Sequence, residues 1–257
     1  MKRLIRLILN VIPRPILQRM ASWAVPLLGL LYVGRGRECP VCGTKRRKFL
    51  PYGYVTSREN ALCPNCLSLE RHRLLWLWLQ RESDLFERCP KLLHVAPEVC
   101  LMRHLRKAYK GHELDYVTAD LESPLADMHF DIQSIPLADD SFDVIFCNHI
   151  MEHVEDDLRA MSELYRVMSH GGWGVVLSPV ELSRQYTFED DTITDEAERT
   201  RIFGQYDHRR VYGQDYADRL RSVGFEVEDL DYAATFTEED RQRYALPVDH
   251  LYVVRKK

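Results

Sequence analysis

From Lys91 onward, short apolar runs alternate with longer stretches of helical period. The runs Lys91-Leu-Leu-His-Val95, Leu114 to Ala119, Asp143-Val-Ile-Phe-Cys-Asn148 and Trp173-Gly-Val-Val-Leu-Ser178 predict strands at about 91–95, 114–119, 143–148 and 173–178. Between and after them, helices are expected at 98–109, 155–169 and 213–222. Two closing strands follow: Phe225 to Leu230, after Gly224, and His250 to Arg255. They lie close enough in sequence to pair antiparallel at one edge. Strand–helix alternation of this kind means a mostly parallel, doubly wound sheet with helices on both faces. A polar or acidic residue follows each run, at the carboxyl ends of the strands where open α/β sheets hold their ligands.

Before Lys91 the pattern changes. Residues 1–34 are apolar and basic, with Leu4, Leu7, Ile8 and Val11 at helical spacing. Arg6, Arg14, Arg19 and three prolines interrupt them, and the longest uncharged stretch, Met20 to Gly34, falls short of the about 20 residues a membrane span needs. Two readings stay open: an amphipathic helix lying on a membrane surface through residues 1–33, or a helix packed on the protein's own core or on a partner. Next come Cys39-Pro-Val-Cys42 and Cys63-Pro-Asn-Cys66, separated by twenty residues. Paired thiolates on two tight turns complete a tetrahedron around one Zn²⁺, so Cys39, Cys42, Cys63 and Cys66 are expected to hold a structural zinc in a ribbon over 35–70. Phe49 to Val55 in the spacer is a candidate hairpin. Ser68 is placed to cap a linker helix over 71–88, whose Trp76 and Trp78 are expected to pack rather than bind. Cys89, Cys100 and Cys147 have no partner spacing and are read as small buried apolar residues.

Charge is asymmetric. Twelve of the 35 Lys/Arg but only one of the 39 Asp/Glu lie at or before Arg58, and the chain as a whole is −4. A basic front end suits an anionic surface, nucleic acid or lipid headgroups, or is simply a solvated face; an acidic remainder argues against nucleic acid wrapping the whole protein. Seven cysteines with no secretory signal suggest a cytoplasmic, reducing setting, with membrane association as the alternative offered by residues 1–33.

The segments Asp131 to Val154 and Gly171 to Pro179, with the helix–strand–strand close, resemble the class I S-adenosylmethionine-dependent methyltransferases, of the type 11-like kind. The resemblance covers about 89–257. It implies a seven-stranded Rossmann-like sheet and S-adenosyl-L-methionine as cofactor. It further implies that Asp120 holds the ribose with Leu121 beside it, that Asp131 meets the adenine amino group with Ile132 on the ring, and that Asn148, a cofactor contact, and His149 line the cofactor-to-substrate face. The first loop departs from the family, which carries an acid and glycines there. Here it is His94-Val-Ala-Pro-Glu98. Either His94, Ala96, Pro97 and Glu98 hold the methionine end by their own contacts, or the cofactor site is weakened.

Methyl transfer needs an aligned nucleophile and often a base. The candidates are His208, within Tyr206-Asp-His-Arg209, and then His149; Glu152 and His153 are expected as contacts at a helix start. Glu181 to Gly204 is polar and reads as a lid or insertion. The leading reading is methylation of a small-molecule, saccharide or lipid-linked acceptor. An RNA methyltransferase of the ribosomal guanine type, with Lys45 to Lys48 on phosphates, and a non-catalytic zinc-ribbon adaptor are the alternatives.

Overall fold

The computed structural model describes residues 29–53 and 57–257. The expected helix over 1–34 therefore lies almost wholly outside the described residues. Four short strands build the cysteine module. β1 (Val33–Glu38) pairs antiparallel with β2 (Lys45–Arg46), and β3 (Leu50–Tyr52) with β4 (Arg58–Leu62). The second pair meets the expected hairpin only in part: β3 lies within Phe49 to Val55, but its partner β4 lies beyond that stretch.

Helix α1 (Glu70–Glu82) follows. Every residue from His72 to Leu79 is buried. A helix buried all round must sit between two bodies, and α1 lies between the cysteine module and the sheet. Its Trp78 meets Trp173 edge-on at 5.5 Å, while Trp76 meets Phe86 at 5.3 Å, in the short α2 (Leu85–Arg88). Both tryptophans are packing residues. Ser68 does not cap α1. The N-cap is Leu69, whose N–H donates to Nδ1 of His72, because the Ser68 hydroxyl is drawn to the cysteine cluster.

The larger body is a seven-stranded sheet. Its strands are β5 (Leu92–Val95), β6 (Tyr116–Asp120), β7 (Met128–His129), β8 (Phe142–Asn148), β9 (Met168–Leu177), β12 (Glu226–Leu230) and β13 (Leu251–Arg255). The order is β12-β13-β9-β8-β5-β6-β7. Pairs from β9 to β7 are parallel, and β13 joins both β9 and β12 antiparallel. α3 (Val99–Ala108) crosses from β5 to β6, burying Leu101, Met102 and Leu105 on one face. α4 (Asp157–Val167) crosses from β8 to β9. It is capped by Asp156, which accepts from the Arg159 N–H, and buries Ala160, Met161, Leu164 and Val167.

The insertion after β9 has structure of its own. β10 (Phe188–Glu189) pairs with β11 (Arg210–Val211), and α5 (Glu196–Phe203) lies between them. α5 is capped by Asp195 and stopped by Gly204 in the left-handed region, φ 87°. α6 (Tyr216–Ser222) and α7 (Glu238–Tyr244) complete the α-helices among the described residues.

Arg73 ties the modules together. Its buried guanidinium donates to the carbonyls of Asn60, Ala61 and Ser68 in the cysteine module and of Tyr244 and Ala245 at the end of α7. Arg243 adds an ion pair to Glu38 at 2.6 Å.

Candidate active site and cysteine cluster

The chain leaves β5 toward β6 on one side and returns to β8 on the other. The carboxyl ends of β5 and β8 are thus the switch point at which open sheets bind ligands. The sequence-predicted residues of both strands meet there. Buried His94 bonds Tyr116 Oη through Nδ1 (2.9 Å) and Glu98 Oε2 through Nε2 (2.7 Å). The other oxygen of Glu98 accepts from Asn148 Nδ2 at 3.1 Å. Burial alone would raise the Glu98 carboxyl. The hydrogen bond and charge of His94 outweigh that and hold it down at about 2.

Ala96, between His94 and Glu98, takes a left-handed φ of 46°. The first loop therefore keeps a glycine-like backbone with an alanine in it. Pro97 precedes α3, whose N-cap is Glu98. Asn148 Oδ1 is buried and has no hydrogen-bond partner among the described residues.

Asp120 and Asp131 stand apart from this network. Asp120 ends β6, and its Oδ1 accepts the N–H groups of Glu122 and Ser123. Asp131 accepts from the Gln133 N–H and side-chain amide. Leu121 is exposed (64%), whereas Ile132 is packed into the core.

On the other side of β8, a cavity of about 770 Å³ opens between the sheet, the cysteine module and the insertion. His149, Glu152, His153, Ser178, Phe203 and His208 form one wall. His149 has a left-handed φ of 58°, which turns it away from the strand, and its N–H donates to the Leu177 carbonyl. Its Nδ1 is 3.3 Å from Glu152 Oε1, and Ser178 Oγ donates to Glu152 Oε2 at 2.5 Å. Burial pushes the Glu152 carboxyl up. The hydrogen bond and charge of His149, with the Ser178 hydroxyl, overcome this and lower it to about 2.

His208 donates Nδ1–H to the Phe203 carbonyl at 3.0 Å, and its Nε2 is buried without a partner among the described residues. Burial lowers its pKa. His153 places Nδ1 3.5 Å from Asp207 and meets His208 edge-on at 4.7 Å.

Glu152 and His153 are not at a helix start. They lie in turns before α4, which begins at Asp157. Arg210 holds those turns. Its buried guanidinium donates to the carbonyls of Met151, Val154 and Glu155 and pairs with Glu189 at 3.1 Å. Sequence reasoning noticed the string around His208 but not this role of Arg210. Of the residues flanking His208 in that string, Tyr206 is exposed, Asp207 turns to His153, and Arg209 lies 3.5 Å from Asp191.

The four paired cysteines converge as expected. Cys39 and Cys66 Sγ are 3.6 Å apart, Cys42 and Cys63 Sγ 3.9 Å, and all four lie within 4.8 Å of one another. A tetrahedron of sulfurs with metal bonds of about 2.3 Å has edges of about 3.8 Å. Ser68 Oγ is 3.2 Å from Cys39 and 3.3 Å from Cys66, and Thr44 Oγ1 is 3.0 Å from Cys42. The Arg73 charge sits behind the cluster and is felt by Cys39, Cys63 and Cys66. The other three cysteines stay separate. Cys100 and Cys147 are buried, as expected, and burial raises both thiols, whereas Cys89 is only half-buried at the end of α2.

Residues 85–176 match the family described as "Methyltransferase domain". A curated protein of Mycolicibacterium smegmatis, a probable S-adenosylmethionine-dependent methyltransferase, is 29% identical over 101 residues. That match takes in 39% of this chain and about a third (35%) of the relative's length. Among solved structures, an S-adenosylmethionine-dependent methyltransferase from Mesorhizobium loti aligns at 17% identity over 71% of this chain and 98% of its own, TM-score 0.46. The YcgJ protein of Bacillus subtilis aligns at 14% identity over 73% and 99%, TM-score 0.43. The stretch that contains β5 to β8 and most of β9 is thus the part of the chain that matches the methyltransferase domain, and it is set in a mostly parallel, Rossmann-like sheet.

Proposed function

We propose that the protein is an S-adenosylmethionine-dependent methyltransferase that delivers the methyl group to an acceptor held in the 770 Å³ cavity. One observation carries this reading. The carboxyl end of β8 serves two sites at once: Asn148 bonds the first loop through Glu98, and the next residue, His149, lines the cavity.

The residues of the first loop fit the cofactor. The buried Asn148 Oδ1 is an acceptor in need of a donor, and the cofactor carries an ammonium. The left-handed Ala96 leaves the backbone open to close approach. Glu98 puts negative charge beside a cationic ligand. Asp120, with one oxygen not used in its turn, is the candidate for the ribose hydroxyls, beside exposed Leu121. Asp131 is the candidate for the adenine amino group, with Ile132. When bound, the cofactor supplies a methyl group on a positively charged sulfur.

His149 takes the proton from the acceptor. It is the cavity histidine oriented by a buried carboxylate, Glu152, which Ser178 holds in place. This reverses the order expected from sequence, because the free nitrogen of His208 is buried and no carboxylate among the described residues orients its ring.

The cavity also presents Arg58, Glu70, Arg71 and Asp249. Mixed charge of this kind suits a polar, hydroxylated small molecule or saccharide unit, free or lipid-linked. Its acids would repel an RNA backbone. A structural Zn²⁺ in the four-cysteine cluster, whose sulfur spacing fits the ion, braces the cavity's outer wall through β3 and β4.

The test is titration calorimetry with S-adenosylhomocysteine. Wild type should bind, and Asp120→Asn, which keeps the turn and loses the charge, should bind about tenfold or more weakly. Absence of wild-type binding at near-millimolar ligand would sink the enzyme reading; equal affinity in the variant would sink the role given to Asp120.

A further inference from the structure

The geometry points to a second metal site, distinct from the cysteines: a divalent transition ion held by Glu152, His153 and His208 at the wall of the acceptor cavity. The three residues each offer a ligand atom, all within 4.8 Å of one another. Ligand atoms around an ion bonded at about 2.1 Å lie roughly 3.4 Å apart in a tetrahedron, so small ring rotations close the set.

Each ligand is backed as metal ligands are. His208 donates its other ring N–H to the Phe203 carbonyl, which fixes the tautomer with the lone pair on Nε2. That atom is buried, and the residue is only 6% exposed, yet it has no partner among the described residues. A buried imidazole nitrogen left unpaired is costly, and a cation removes the cost. His153 points Nδ1 at Asp207, leaving Nε2 to offer. Glu152 is oriented by Ser178 and His149. Two imidazoles and one carboxylate suit Zn²⁺, Mn²⁺, Fe²⁺ or Co²⁺, whereas Mg²⁺ and Ca²⁺ prefer oxygen ligands.

Three protein ligands leave open positions, and these face the cavity. The consequence rests on the methyltransferase reading: the acceptor atom is a hydroxyl oxygen, whose acidity the ion raises. Its proton passes to His149. An oxygen lone pair then forms the new C–O bond as the C–S bond breaks, its electron pair staying on sulfur to give a neutral thioether. The substrate class is a hydroxyl compound that can chelate, such as a vicinal diol of a saccharide.

Binding of the ion itself does not depend on that reading and is tested without cofactor. The full chain, with its cysteine cluster intact, is titrated with Mn²⁺ and followed by electron paramagnetic resonance. Manganese competes poorly for thiolates. About one Mn²⁺ per chain should bind, and His208→Ala and His153→Gln should each weaken it at least about tenfold, with circular dichroism unchanged. His153→Gln keeps the test decisive if His208→Ala does not fold, because the His153 ring is a third exposed. Wild-type protein that binds neither Mn²⁺, Co²⁺ nor Zn²⁺ beyond the cysteine cluster at near-millimolar metal overturns the site. So do variants that bind as tightly as wild type. Metal binding without S-adenosylhomocysteine binding would leave the site standing and remove only its role in methyl transfer.

Discussion

Glu98→Gln keeps the shape of the side chain that joins β5 to β8 and removes its charge. The neutral amide can still accept from Asn148 Nδ2 and donate to a His94 whose proton has moved to Nδ1, facing Tyr116. What is lost is the preference of the folded site for a carboxylate. The folded pKa of about 2, against an ordinary 4.5, corresponds to about 3 kcal/mol at neutral pH, since each unit is about 1.4 kcal/mol. The folded value is the depressed one, so this stabilisation is present above about pH 4.5 and fades as pH falls toward 2. Urea unfolding of wild type and variant should therefore differ by about 3 kcal/mol at pH 7, and the gap should narrow by about 2 kcal/mol on going to pH 3. A variant as stable as wild type at pH 7, or a gap that stays constant down to pH 3, would refute the claim that the pair draws its strength from an ionised Glu98.

Three further outcomes are expected. Cys63→Ser should release about one zinc per chain by elemental analysis and expose the β3–β4 hairpin to proteolysis; a metal-free wild type that is fully folded would rule out the ribbon. Arg73→Met leaves five carbonyls without their donor and should cost at least about 3 kcal/mol in urea unfolding; a loss under about 1 kcal/mol would mean that the two modules are joined by packing alone. Ala96→Gly should raise stability by up to about 1 kcal/mol, because the native φ of 46° is one that alanine resists; a destabilised variant would show that the methyl group, not the backbone, is needed there.

The residues that were legible carry local signals. β5, β6, β8 and β9 are short apolar runs that bury on both faces, and two β strands near the end of the chain pair within one stretch of sequence. The cysteine pairs are legible for the same reason, since each pair needs only one tight turn. Two-residue β7 has no room for a period, and α7 has no fully buried residue and packs on the core only through Tyr244, so neither leaves an apolar pattern to find. The cap of α1 was misplaced because Ser68 has the right chemistry for a cap, but its hydroxyl serves the cysteines instead.

Sequence alone determined the sheet's direction, the strand ends that carry polar groups, and the meeting of four thiols, because periodicity and spacing act over a few residues. The tertiary structure decided which histidine does what. His149 and His208 are both histidines near a carboxylate in the primary structure. Only the fold buries one nitrogen of His208 next to Glu152 and His153, turns His149 into the cavity through a left-handed backbone, and brings Arg210 from 55 or more residues away to fix the turn between them. Those assignments rest on burial and on contacts between distant segments, which no local pattern encodes.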